Sequence, residues 1–147
     1  MIIETRDAVD DDLYVLLSIQ KEAFARYTDH LRAEQIPPLN ETIEDMKKDL
    51  KYKSVVTASV DGRTAGSIRY YIKGGVCIIE RLSVRPDMQG RGIGCGLIAE
   101  VEKRAAGLAH KLYLETGLLA SNLIMFIRRS VFRRKPSCAN IMAGSTG

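Results

Sequence analysis

The chain has 147 residues, 46% hydrophobic and 27% charged, a balance that suits one soluble globular domain over residues 1–147. No apolar run approaches the roughly 20 residues of a membrane span, and the N-terminal MIIETRDAVDDD is too acidic for a secretory signal. A cytoplasmic protein with no membrane partner is therefore expected, and the net charge of +4 is too small to imply nucleic acid, even with Arg128, Arg129, Arg133, Arg134 and Lys135 clustered late.

In chain order, residues 2–5 predict a short strand. Asp10, Asp11 and Asp12 offer caps for a helix over about 11–27, where Leu13, Leu16, Leu17, Gln20, Phe24 and Tyr27 fall close to helical spacing. Residues 28–40, with the Pro37-Pro38 pair, read as a loop. A second helix follows, capped by Asn40 or Thr42, with Ile43, Met46 and Leu50 on one face. Three antiparallel strands are predicted at about 54–60, 64–72 and 76–84, because β-branched runs are broken by Asp61-Gly62 and Gly74-Gly75. LIAEVEKRAAGLA, residues 97–109, predicts a helix, residues 111–116 a strand, and SNLIMFIRRS, residues 121–130, a last short helix. The order β-α-α-β-β-β-α-β-α implies an α/β domain of α+β type with a mixed sheet.

Cys77, Cys95 and Cys138 form no CxxC pair, and only His30 and His110 could join them, so no metal is expected and the thiols are expected to be reduced. The stretch that carries chemistry is VRPDMQGRGIGCG, residues 84–96, where glycines at 90, 92, 94 and 96 stand around the start of a helix. Unpaired amides and the helix dipole bind anions there, glycine lets a phosphate approach the backbone, and Arg91 adds a forked cation. The string lacks the GxxxxGK[ST] of a P-loop, and a GxGxxG reading begun at Gly90 or Gly92 ends on Cys95 or Leu97. A glycine-rich turn that merely lets strand and helix pack closely is the plain alternative.

RLSVRPDMQGRGIGCGLIAEVE resembles the acyl-CoA signature of the GNAT superfamily of N-acetyltransferases, a strand ending in V-x-P and then [RQ]-x-x-G-x-[GA] opening a helix; Gln89, Gly90, Gly92 and Gly94 match it. IIETRDAVDDDLYVLLSIQKEAF, VVTASVDGRTAGSIRYYI and KLYLET with the segment after it resemble the family's flanking elements, so the likeness spans about 130 residues. The resemblance implies a mostly antiparallel sheet flanked by helices, here with a shortened C-terminal end. It implies acetyl transfer from acetyl-CoA to a primary amine of a small molecule or peptide, by direct attack. It implies that the backbone of Leu82, Ser83 and Val84 holds the pantetheine arm, and that Gln89, Gly90, Arg91, Gly92, Ile93, Gly94 and Cys95 hold the pyrophosphate, with Asn122 near a further coenzyme position. Glu80, a charge in the apolar run VCIIERLSV, is the candidate catalytic base or amine anchor; pairing with Arg69 or Arg81, or exposure to solvent, is its structural alternative.

Aligned on Phe132, the last helix places Ile127 where the family commonly has a Tyr acid and Val131 where it has a Gly. That departure raises the alternative of a catalytically weak or inactive acyl-CoA-binding module. Residues 133–147 have room for one strand, around 138–143, rather than two. An open sheet edge would then favour a homodimer.

Overall fold

Two glycine-bearing turns organise the sheet. Asp61 and Gly62 take φ of 52° and 80°, and Gly74 and Gly75 take 58° and 74°. Left-handed backbone at both central positions is the type I′ turn, whose twist matches paired strands. In the computed structural model, which describes residues 2–29, 31–114 and the backbone of 123–126, these turns join β2 (Ser54–Val60), β3 (Arg63–Lys73) and β4 (Val76–Val84). With β1 (Ile3–Asp7), β5 (Lys111–Leu114) and β6 (Leu123–Phe126) they form a six-stranded sheet in the order β1-β2-β3-β4-β5-β6. Every neighbouring pair is antiparallel except β4 and β5, which are parallel. The chain makes that parallel step through α4 (Ile93–Ala105).

The sheet is covered on both faces, and alternate residues of β2 show how. Val56 and Ala58 face α4 and pack in a core with Ile68, Ile79, Leu97, Ile98, Val101, Leu112 and Leu114. Val55 points the other way, toward Leu13 and Leu16 of α1 (Leu13–Phe24) and Met46 of α3 (Ile43–Tyr52). Each buried Val, Leu, Ile or Met side chain among these contributes about 1.5–3 kcal/mol of transfer free energy. Of the two caps offered by the sequence, Thr42 starts α3. Its Oγ1 accepts from Asp45 N–H at 3.2 Å, while Asp45 Oδ2 accepts from Thr42 N–H at 3.0 Å.

Three elements differ from the sequence expectation. Residues 37–40 form a four-residue helix, α2 (Pro37–Asn40), because Pro at a first helical position needs no N–H partner and has its φ already set. Helix α4 opens at Ile93 rather than at 97, so Gly94 and Gly96 lie within its first turns; Gly96 packs against Ile3 Cδ1, 3.7 Å from where its Cβ would stand. Residues 123–126, read as part of a helix, are strand β6, with Leu123 opposite Leu114 and Phe126 opposite Lys111. A short apolar run suits either element by periodicity, and the open edge of β5 supplies the backbone partners that select the strand. The strand expected around 138–143 lies outside the described residues. Among the described residues no helix is long and apolar enough to cross a membrane.

Candidate functional site

Strand β4 is irregular where the site lies. Its register with β3 sets Glu80 opposite Arg69 and resumes with Ser83 opposite Ser67, so Arg81 and Leu82 together face Ile68. This is a β-bulge, and Arg81 takes a left-handed φ of 55°. The extra residue shifts the alternation: Cys77 and Ile79 before it, and Leu82 and Val84 after it, all pack on the α4 side. Glu80 shares the opposite face with Arg69. Parallel pairing with β5 covers only Val76 to Ile79. On that side the backbone from Glu80 to Val84 has no strand partner among the described residues.

The end of β4 is held firmly from its other side. Gly66 of β3 lies so close that a Cβ there would collide with the Ser83 carbonyl oxygen. Arg85 N–H donates to Ala65 O at 2.8 Å, and Arg85 Nε to Thr64 O at 2.6 Å. A 3-10 turn at Pro86–Met88 sends Met88 into the core. Gln89 Nε2 then donates back to Val84 O at 3.2 Å, tying the loop to the strand.

Gly90 and Gly92 follow at φ of 79° and 84°, conformations that L side chains rarely adopt. The space where a Gly90 Cβ would stand is open to at least 4 Å. Gly92 is the N-cap of α4, and the first helical bond runs from Gly96 N–H to Gly92 O at 2.9 Å. The amides of 93–95 precede that bond. No acidic residue occupies the first turn, and Arg91 is exposed. Such a helix start attracts an anion through its amides and its dipole.

On the opposite face of the bulge lies a charged network. Arg69, 2% exposed, donates to Glu41 through Nη1 at 2.7 Å and Nη2 at 3.0 Å, and to Asp49 through Nη1 at 2.7 Å. Gln20 of α1 donates to Glu41 Oε1 at 2.8 Å and to Pro38 O at 3.0 Å. Burial opposes the charge on Arg69, but the Glu41 and Asp49 carboxylates outweigh it and hold its pKa above the usual value. Burial would likewise raise Glu41, and Arg69, Gln20 and Arg81 together hold it below the usual carboxylate range. Arg81 Nε lies 3.7 Å from Glu41.

Glu80 is paired with neither Arg69 nor Arg81. Its carboxylate accepts from Lys53, the C-cap residue of α3, which also lies 3.4 Å from Asp49 Oδ2. Burial works against the Lys53 charge, and the two carboxylates reverse that, so its pKa stands above the usual lysine value.

Of the residues expected from sequence, Leu82, Ser83 and Val84 and the run from Gln89 to Cys95 form one continuous path from strand end to helix start, and Glu80 stands just before the bulge. Asn122 and Ile127 lie outside the described residues. Cys77 is a free buried thiol, pushed up to about 11 by burial; Cys138 lies outside the described residues. Sequence reading missed Gln20, Glu41, Asp49 and Lys53. A polar Gln20 on an otherwise apolar helix stripe and an Arg69 inside a strand were the available signals, since buried polar groups require partners.

The structure thus sets a glycine-bearing helix start beside a strand end that has no strand partner on one side among the described residues. The Acetyltransferase (GNAT) family model matches residues 13–126, and the chain belongs to that family. The fold is similar to that of the PaiA N-acetyltransferase of Thermoplasma acidophilum, solved in complex with coenzyme A, at 22% identity, TM-score 0.69, covering 78% of this chain and 79% of that one. It is similar also to a GCN5-related N-acetyltransferase of Rhodopseudomonas palustris, at 24% identity and TM-score 0.65, covering 78% and 75%. A GNAT family acetyltransferase of Brucella melitensis, in complex with acetyl-CoA, matches at 19% identity and TM-score 0.58 over 90% and 99%. A comparison with curated proteins gives no match.

Proposed function

We propose that the protein transfers an acetyl group from acetyl-CoA to a primary amine. The observation that carries this reading is the bulged, half-paired end of β4 running directly into the glycine-bearing start of α4. The coenzyme-bound structures of similar fold support acetyl-CoA as the donor. Its thioester supplies an activated carbonyl. The chain's part is to position and to move protons. The backbone of Leu82, Ser83 and Val84 offers strand-like pairing to an extended amide-bearing arm. The amides from Gln89 to Cys95, with Arg91 beside them, hold a pyrophosphate, and Gly90 leaves it room.

Glu80 orients the acceptor amine and takes its proton, directly or through water, as the nitrogen attacks. Transfer is direct. Cys77, with a thiol pushed up to about 11, is no nucleophile at neutral pH. Calorimetry with acetyl-CoA tests the reading: micromolar binding is expected, lost in Gly92→Glu and weakened in Arg91→Glu. No binding by the wild type sinks it.

A second reading, coenzyme binding without turnover, is favoured by Lys53 already occupying Glu80 and by Ile127 in the family's Tyr slot. It predicts acetyl-CoA binding with no transfer across an amine panel. Ile127→Tyr with Val131→Gly would then restore some transfer.

A further inference from the structure

The Lys53 ammonium sits in a site built for a primary amine. Nζ donates to Glu80, lies 3.4 Å from Asp49 Oδ2 and stands 5.3 Å from the centroid of the Tyr71 ring. Two carboxylates and an aromatic face are the groups that recognise an alkylammonium.

The two ends of the network differ in access. The Arg69 and Glu41 side chains are sealed, at 3% and 6% exposure, whereas Glu80 is 14% and Lys53 26% exposed. The exchangeable end is therefore the Lys53–Glu80 pair. Charge balance points the same way. Three carboxylates, Glu41, Asp49 and Glu80, face three cations, Arg69, Arg81 and Lys53. An acceptor ammonium added beside Lys53 would leave an excess positive charge in a partly buried site. An acceptor that replaces Lys53 keeps the balance. Lys53 also stands at a joint, ending α3 with extended backbone at φ −124° and ψ 161°, so its side chain can leave without unwinding the helix.

We propose that Lys53 is an internal substitute for the acceptor: a primary alkylammonium takes its place on Glu80 and Asp49, and Lys53 swings out to solvent. This rests on Glu80 being the acceptor's partner. The device selects unhindered primary amines, because the incoming group must donate to both carboxylates as Lys53 does. A quaternary ammonium has no proton to donate and fails to displace it.

The test is calorimetric titration of n-butylammonium and of tetramethylammonium into wild type, Lys53→Met, Lys53→Gln and Lys53→Arg, each checked for fold by circular dichroism. With the internal competitor removed, n-butylammonium is expected to bind the Met and Gln variants on the order of tenfold tighter, the factor that 1.4 kcal/mol gives. The Arg variant is expected to match the wild type, and tetramethylammonium to show no gain. Equal or weaker binding in both neutral variants, or none to any form, overturns the proposal. Loss of fold in both overturns it too, since a lysine that the fold requires cannot yield its place. Acetyl-CoA binding by the wild type, measured separately, tells failure of this device from failure of the transferase reading.

Discussion

Adding one methyl group at Gly66 tests whether the position of β4 governs donor binding. The new Cβ would collide with the Ser83 carbonyl oxygen, and Val84 Cα and the Ser83 carbonyl carbon would stand at 3.2 and 3.3 Å. All three are backbone atoms, so no side-chain rotation relieves the contact, and β4 must move at the residues assigned to the carrier arm. Overpacking of this kind costs about 1–3 kcal/mol. At about 2–4 °C per kcal/mol for a chain of this size, Gly66→Ala should lower Tm by roughly 2–12 °C. Gly62→Ala is the control. It strains a left-handed turn residue at φ 80° with nothing within 4 Å of the added Cβ, so it lowers Tm without touching the site. Thermal melts and acetyl-CoA calorimetry on both variants separate the effects. Weaker acetyl-CoA binding is expected for Gly66→Ala only. An unchanged Tm would refute the steric argument, and a lowered Tm with wild-type affinity would refute the link between strand position and donor binding.

The other expectations concern the charged face and a helix cap. Glu80→Gln should lower kcat by about 10²–10⁴-fold while acetyl-CoA affinity stays at the wild-type value; equal turnover would remove Glu80 from proton transfer. Arg69→Met leaves Glu41 and Asp49 without their buried cation, and urea melts should show a loss of about 3–5 kcal/mol. Burial raises the Glu41 carboxyl but is outweighed by Arg69, Gln20 and Arg81, so its folded pKa lies below the ordinary 4.5. Its contribution is therefore complete above that pH and lost as pH falls through the folded value. Wild-type Tm should drop as pH falls below about 4.5, and Glu41→Gln should lower Tm at neutral pH and flatten this acid limb. Thr42→Ala removes the acceptor for Asp45 N–H and should cost about 1 kcal/mol by denaturant melt.

What the sequence made legible follows from the range of each interaction. The β4 limits, Val76–Val84, emerged correctly because Gly74-Gly75 forces the turn before the strand and Pro86 stops it after. The glycine-bearing helix start was legible because glycines at positive φ and the first turn of α4 are consecutive in the chain. The LIMF segment was misread because strand or helix was decided by the edge of β5, which periodicity does not report. The network around Arg69 was illegible for the same reason. It gathers Gln20, Glu41, Asp49 and Lys53 from α1, from the loop after α2 and from the last turn and C-cap of α3. Only the tertiary packing of those elements over the sheet brings them within hydrogen-bond distance.

The bulge at Arg81 and Leu82 changes which side chains the end of β4 presents to each face. In an unbroken strand, Glu80, Leu82 and Val84 would all project to one face. The extra residue separates them: Glu80 stays on the face with Lys53 and Arg69, while Leu82 and Val84 turn into the α4 core. The side proposed for the acceptor is thereby on one face, and the edge that has no strand partner among the described residues leads toward the α4 helix start. A left-handed Arg81 costs on the order of 1–3 kcal/mol; its Nε is buried without a hydrogen-bond partner among the described residues, and its charge lies 3.7 Å from Glu41, an attraction that offsets part of that cost.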